Sequence, residues 1–308
     1  DELVIPTEIK LRGYKPPTYG DPKQIQKAVD MILKSKRPII FGGGGLIHAD
    51  ASPELKEFAH RLEIPVTSTL MGLGAYPNND PLYVHMLGMH GSYAANMAVH
   101  SSDLVISIGA RFDDRATGGN FEEFSPNAEI IHIDIDPSSI DKNIVVHCPI
   151  VGHAKLVLQQ LLDALPEKID KDRKEWRDQI KEWDDKHPMS YNQTGDKILT
   201  TYAIDTLSKI TDDDAIIVSD VGQHQMWVAQ FYKFNYPRTH ITSGGLGTMG
   251  FGFPAAMGAK FACPDKQVVC VTGDGSFQMN MQELSVAVEH NMDLTIMLLN
   301  NGHHGMVR

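Results

Sequence analysis

The stretch Gln267-Val-Val-Cys-Val-Thr-Gly-Asp-Gly-Ser276 decides the fold. Its apolar residues form an unbroken run bounded by Gly, the pattern of a strand buried on both faces of a parallel sheet. Gly273 and Gly275 let the chain turn tightly, so Asp274 projects at the strand's carboxyl end, where open α/β sheets present a crevice. A helix over 278–290 and a second apolar strand over 294–299 are predicted to follow, ending at Asn300-Asn301. That strand returns parallel and sets an amide oxygen beside Asp274. One carboxylate, one amide oxygen and a nearby carbonyl make a hard, oxygen-only site that suits Mg²⁺ shared with phosphate oxygens. The N–H groups of Gly275 and Ser276 favour the charge of a diphosphate. Gly-Asp-Gly alone is a plain turn; the flanking strands and the 24 residues between Gly275 and Asn300 give it meaning.

The same alternation continues toward the N-terminus. A helix over 200–210, a strand over 215–219, a helix over 223–231, a Gly-rich turn over 244–252 and a helix over 253–261 precede the stretch. Residues 166–195 are highly charged and carry Trp176 and Trp183, which predicts a connecting helix anchored by its two Trp. Upstream, a helix over 21–35 leads into the apolar run Pro38–Phe41 and the loop Gly42–Gly45. A helix then runs from Ser52 to Leu62, with Ser52 as N-cap and Pro53 in the first turn. The runs Ile64–Ser68, Leu104–Ile108, Glu129–Ile133 and Asn143–His147 read as strands, and a helix over 153–163 closes the unit. Residues 1–20, with Pro6, Pro16 and Pro17, read as an extended linker. The expected fold class is α/β, with two doubly wound parallel-sheet domains over 21–165 and 196–308 joined by 166–195.

Composition narrows the function. A net charge of −11 over 308 residues argues against nucleic acid or an anionic membrane as the main partner. An anionic ligand would need local donors: backbone N–H groups, Arg or a metal. Cys148, Cys263 and Cys270 lack metal-type spacing and read as free thiols in a reducing compartment. No apolar run reaches the ~18 residues of a membrane helix, and no signal-peptide pattern opens the chain. The start without Met, and the stop at Arg308 just after a strand signal, read as cut ends.

The segment from Gly273-Asp-Gly to Asn300-Asn301 resembles the thiamine-diphosphate (ThDP) motif of the decarboxylase and synthase superfamily. Within it the chain is most similar to the catalytic subunits of the acetohydroxyacid (acetolactate) synthase family, in order from the loop at 42 to Met306-Val307. The resemblance implies ThDP, Mg²⁺ and FAD as cofactors. It makes Asp274 and Asn301 side-chain ligands of Mg²⁺, with the main-chain oxygen of His303 as the third. Gly222-Gln-His-Gln225 matches the stretch at the far side of the diphosphate, so Gln223 and His224 would contact it; the residues alone read equally as a polar helix start. Ser243-Gly-Gly-Leu-Gly-Thr-Met-Gly-Phe-Gly-Phe-Pro-Ala-Ala256 resembles the loop under the aminopyrimidine. There Gly247 would offer its carbonyl to the ring amine and Met249 would wedge between the two rings. Without the resemblance, Met249 would be core filler.

The first domain is of FAD-binding type by the same resemblance. Gly43 and Gly44, Thr69-Leu-Met71, His90, Gly109, the run Arg111-Phe-Asp113-Asp114-Arg115, and Asp134-Ile135 fall in its FAD-binding stretches. All are expected after strands, at one sheet edge. Arg111 and Arg115 can pair bidentately with phosphate and Asp134 can accept from ribose hydroxyls. Ion pairing among Arg111, Asp113, Asp114 and Arg115 is an equal reading of those residues. Arg115 and Met306 would lie near a substrate channel.

For the whole enzyme, the resemblance implies decarboxylation of pyruvate and its ligation to a second 2-keto acid. Pyruvate as acceptor gives 2-acetolactate; 2-ketobutyrate gives 2-aceto-2-hydroxybutyrate, in branched-chain amino acid biosynthesis. It implies a homodimer or tetramer with shared active sites, a small regulatory subunit, and a cytoplasmic location (organellar in a plant). The family's N-terminal domain, with the Glu that protonates the aminopyrimidine, has no counterpart here, nor does the C-terminal lid. The second domain is therefore expected to be truncated, and the chain to hold cofactors without turnover. Rival readings are glyoxylate carboligase, an FAD-free catabolic acetolactate synthase, and a non-catalytic nucleotide-binding fragment.

Overall fold

The computed structural model describes residues 15–167, 169 and 172–307. The linker expected over 1–20 lies outside the described residues as far as residue 14.

Two parallel sheets organise the chain. The first has six strands: β1 (Pro38–Gly42), β2 (Val66–Ser68), β3 (Tyr83–Met86), β4 (Leu104–Ile108), β5 (Glu129–Asp134) and β6 (Cys148–Val151). Their order is β3-β2-β1-β4-β5-β6. The chain winds outward from β1 to β3 and then returns to the other side of β1 as β4. A crevice therefore opens at the carboxyl ends of β1 and β4. Both strands are buried along their whole length, which is why each reads as a continuous apolar run.

The second sheet has β7 (Ile216–Ser219), β8 (His240–Thr242), β9 (Val268–Gly273) and β10 (Thr295–Leu299), in the order β10-β9-β7-β8. Here the winding reverses between β7 and β9. The Asp274 turn follows β9, so it opens directly onto the second crevice.

Local chemistry explains the helices. In the helix Pro22–Lys34, Asp21 Oδ1 accepts from the N–H groups of Lys23 (2.9 Å) and Gln24 (3.2 Å), while Pro22 occupies the first turn. The helix Lys174–Lys186 lies against Tyr93–His100 and buries Trp176 and Ile180 in the core under the first sheet. Trp176 Nε1 donates to Pro38 O (3.0 Å), and the Trp183 ring meets Trp176 edge-on at 5.8 Å. Just before this helix, Arg173 is buried and donates to the carbonyls of Ile32 and Leu62. Those carbonyls end the helices Pro22–Lys34 and Ser52–Leu62, so one guanidinium caps two helices.

Five local expectations need correction. The strand expected at Asn143–His147 forms instead at Cys148–Val151. Asn143 Nδ2 donates to Phe112 O (2.8 Å) and Val146 N to Asp141 Oδ1 (2.7 Å), so those residues are tied into a loop. Pro149 is accommodated because β6 is an edge strand. The helix expected over 278–290 starts earlier, as Asp274–Asn280, passes through a 3₁₀ turn at Met281–Glu283 and resumes as Leu284–Glu289. Gly44 and Gly45, expected in a loop, open the short helix Gly44–His48. Ser52 does not cap its helix: Ala51 holds the cap position, and Ser52 Oγ is buried without a partner among the described residues. Strands β3 and β8 were not anticipated; both are short edge strands that alternate or mix burial.

The domains share a core. Leu73 and Met86 of the first pack among Ile204, Ile217, Val228 and Val269 of the second. Asn78 N donates to Phe234 O (3.1 Å) and Gln230 Nε2 to His90 O (2.9 Å), while Arg238 Nη2 reaches Ile47 O (3.0 Å) and Asp50 (2.7 Å). All three thiols are free, and burial pushes Cys148 up to about 11 and Cys270 to about 12.

Candidate functional site

A cavity of about 350 Å³ opens at the carboxyl ends of β7, β9 and β10. From the β9 side come Asp274, Gly275 and Ser276, the first turn of the helix that follows the strand. From the β7 side come Gln223 and His224, at the start of the helix Gln223–Phe231. From the end of β10 come Asn301 and His303, and from the Gly-rich loop comes Met249. Residues spread over some eighty positions thus meet in one volume because the sheet winds outward from β7 and β9. Gly247 does not line it; with φ +64° it turns the loop behind Met249.

His224 is 6% exposed, and burial pushes its pKa down despite the neighbouring charges of Asp220 and Asp274. Its Nε2 is buried without a hydrogen-bond partner among the described residues. An unpaired polar atom of this kind is costly unless a ligand or water completes it. Ser276 Oγ donates to Val221 O (2.9 Å), tying the Asp274 turn to the end of β7. A Cβ on Gly275 would meet the His304 ring at 2.5 Å, so the ring can lie against this turn as it does because the residue is Gly.

The Asn pair builds consecutive turns. Asn300 Oδ1 accepts from Gly302 N (3.0 Å), and Asn301 Oδ1 from His303 N (3.1 Å), while Asn301 Nδ2 donates to Gln223 Oε1 (3.3 Å). Asn301 thereby joins the β10 end of the cavity to the β7 end. Among the described residues no cluster of three His, Cys, Asp or Glu is poised for a metal. The donors gathered here are instead one carboxylate, an amide oxygen and main-chain carbonyls, a set that fits Mg²⁺ when phosphate oxygens complete it.

Sequence reading passed over Asp220, which follows β7 and is fully buried. Its carboxylate accepts three backbone N–H groups: Val221 (2.7 Å) and Gly250 (2.9 Å) at Oδ1, and Gly252 (2.8 Å) at Oδ2. The signal for it was an acidic residue directly after an apolar run, at the strand end where such crevices form.

At the first sheet, the residues placed in FAD-binding stretches do gather at the carboxyl edge. Gly43 and Gly44 follow β1, Thr69, Leu70 and Met71 follow β2, and His90 lies in the turn after β3. Gly109 and the run Arg111–Arg115 follow β4, while Asp134 ends β5 with Ile135 after it. Gly43 N donates to Ile108 O (2.9 Å) and Gly45 N to Gly109 O (3.1 Å), so the β1 and β4 loops touch at backbone distance. A Cβ on Gly43 would overlap the Gly109 carbonyl, which explains the Gly-rich run. Ion pairing within Arg111–Arg115 is not what the fold builds. Asp113 instead caps the short helix Asp114–Thr117 by accepting from Ala116 N (3.0 Å). Neither Arg111 nor Arg115 makes an ion pair among the described residues; Arg115 reaches only Met89 Sδ, at 3.8 Å. Asp134 is 9% exposed, accepts from Asp136 N (2.9 Å) and lies 3.9 Å from His132 Nε2. Met71 touches Gly244 of the second domain's Gly-rich loop, so the two candidate sites are in contact.

No described helix is long and apolar enough to cross a membrane. Residues 25–161 match the family model described as the central domain of thiamine pyrophosphate enzymes, and residues 220–308 match the C-terminal TPP-binding domain. The chain is 50% identical to an acetolactate synthase large subunit of Buchnera aphidicola subsp. Schlechtendalia chinensis, over 99% of its own length and 54% of that protein's. It is 50% identical to that of Haemophilus influenzae, over 98% of this chain and 53% of the relative. Identity to the isozyme 3 large subunit of Escherichia coli is 46%, over 99% and 54%. The chain thus spans about half the length of the curated relatives it matches.

Proposed function

The chain belongs to the thiamine pyrophosphate enzymes, with their central and C-terminal TPP-binding domains, and from that premise we propose that it forms this part of an acetolactate synthase large subunit. The observation that carries the reading is the single cavity at the ends of β7, β9 and β10, where Gln223, His224, Met249, Asp274, Ser276 and Asn301 converge.

In this reading Asp274, Asn301 and the main-chain oxygen of His303 hold Mg²⁺. Gly275, Ser276, Gln223 and His224 hold the diphosphate, and the unpaired Nε2 of His224 supports a polar ligand at that end. Met249, Trp227 and Leu299 give the cavity apolar lining, with Gly247 turning the loop behind Met249. ThDP, when bound, supplies the carbon nucleophile that takes up a 2-keto acid and the electron sink that allows CO₂ to leave. Asp274 is the only carboxylate among the described residues lining the cavity, and it is assigned to the metal. The family resemblance implies that the acid–base group that activates the cofactor lies in the part of the relatives' length that this chain does not span.

The substrates of this reading are those the family resemblance implies: pyruvate as donor, and pyruvate or 2-ketobutyrate as acceptor. The relatives' designation as large subunits implies a small subunit partner; its regulatory role and an assembly of catalytic subunits are part of the proposal. FAD at the first sheet is supported by Arg111 and Arg115, which are free of ion pairs among the described residues, and by Asp134 at the end of β5, suited to a ribose hydroxyl.

Calorimetric titration with ThDP tests the reading. The chain should bind ThDP only with Mg²⁺, and Asp274→Ala should weaken binding by about a hundredfold or more, as expected for losing a charged metal ligand. Metal-independent binding, or unchanged binding by Asp274→Ala, would count against the assignment.

A further inference from the structure

The Gly-rich loop 244–252 is anchored at its carboxyl-terminal end by one buried side chain. Asp220 is 0% exposed and accepts the N–H groups of Gly250 and Gly252 from the loop, and that of Val221 from its own strand end. A Cβ on Gly252 would come within 2.8 Å of Asp220 Cβ and Oδ2, so the loop closes onto the carboxylate as tightly as a Gly permits. Met249 lies directly before the first of these anchor points and projects into the cavity. Elsewhere the loop is lightly tied: Thr248 N donates to Ser243 Oγ (3.1 Å) and Asn280 Nδ2 to Gly250 O (2.6 Å). The far side of the cavity is built on the Asp274 turn and the end of β10, and the helix Asp274–Asn280 reaches the loop at its other end through Asn280.

We propose that Asp220 is a positioning residue for the ring end of ThDP: its carboxylate fixes the loop that carries Met249 and Gly247, while the diphosphate end meets Asp220 through a bond from His224 to its main chain, which a side-chain substitution keeps. This rests on reading the cavity as a ThDP site. The geometry requires a carboxylate. Two oxygens receive three donors from two directions; an amide of the same shape has one oxygen and would turn an NH₂ toward a backbone N–H. Asp220→Asn therefore sets donor against donor at Gly252 or at Gly250, and the loop must shift to relieve it. Ser276 Oγ ties the Asp274 turn to Val221 O, and His224 bonds to the main chain of Asp220; the substitution leaves both bonds in place.

A two-ligand titration separates the ends of the site. The 308-residue chain, wild type and Asp220→Asn, is titrated with ThDP and separately with inorganic pyrophosphate, both with Mg²⁺. The expected result is a loss of about tenfold or more in ThDP affinity, with pyrophosphate affinity kept within about twofold. A purely structural role would lower both together, and that result overturns the proposal, as does unchanged binding of both. If Asp220→Asn gives no cooperative melt, Asn280→Ala takes its place, since it loosens the same loop at Gly250 O. It should show the same split at about threefold, and equal effects on both ligands would overturn the proposal. A wild-type chain that binds pyrophosphate but not ThDP would instead sink the cofactor reading on which this rests.

Discussion

His240 lies in β8 with its ring 4.6 Å from that of Phe234 and its Nε2 3.4 Å from Ser219 Oγ. It also bonds to the backbone of Leu70, in the first domain's candidate FAD-binding loop. Burial pulls its pKa from the ordinary 6.5 down to about 4, and the bond to Leu70 offsets this only in part. The folded chain therefore binds fewer protons here than the unfolded chain between those two values. This contribution to stability is complete above about 6.5 and is lost as pH falls toward 4, on the order of 3 kcal/mol in all and about 2 kcal/mol of it by pH 5. Urea melts at pH 7.5 and pH 5 should show that loss in the wild type and a smaller one in His240→Gln. Equal losses would show that His240 does not carry it. His224 and His132 are displaced downward by burial too, so a residual slope should persist in the variant.

At the scale of elements, Arg173 joins two helix ends to the helix that follows it. Burial lowers its pKa against the pull of Asp103 and Glu63, and its Nη1 and Nη2 meet the carbonyls of Leu62 and Ile32. Arg173→Ala should cost about 3 kcal/mol, because two buried carbonyls lose their donors and a cavity remains. Thermal melts of Arg173→Ala and Arg173→Lys would check this: Lys can satisfy one carbonyl and should recover part of the loss, whereas equal Tm values would refute the double cap. The elements that sequence reading found were those whose burial is uniform. Leu104–Ile108 and Val268–Thr272 are buried on both faces, so their apolar runs are unbroken. Tyr83–Met86 was hidden because only alternate residues are buried and His85 has a positive φ. Cys148–Val151 was displaced because Pro149 argues against a strand while Ile144, Val145 and Val146 imitate one. In the site, Asp274 was legible through the spacing of its neighbours. Asp220 was not, because two of its three partners are backbone N–H groups some thirty residues away, which leave no side-chain pattern.

Over the whole molecule, the shared core makes the two domains interdependent. Leu73, 1% exposed, belongs to the first domain in sequence but packs with the second. Leu73→Ala should cost about 2–5 kcal/mol and move the unfolding of both domains together. Variants that keep only Trp176 or only Trp227 would report each domain by fluorescence. Coincident transitions that shift equally with Leu73→Ala are expected; separate transitions, with Leu73→Ala shifting only one, would contradict a common unit. The same packing limits how the gene can be dissected. A fragment beginning at residue 196 would leave an apolar socket where Leu73 and Met86 belong, with no side chain of its own to fill it. Such a fragment should collect in inclusion bodies, and co-expression with residues 1–195 should return it to solution.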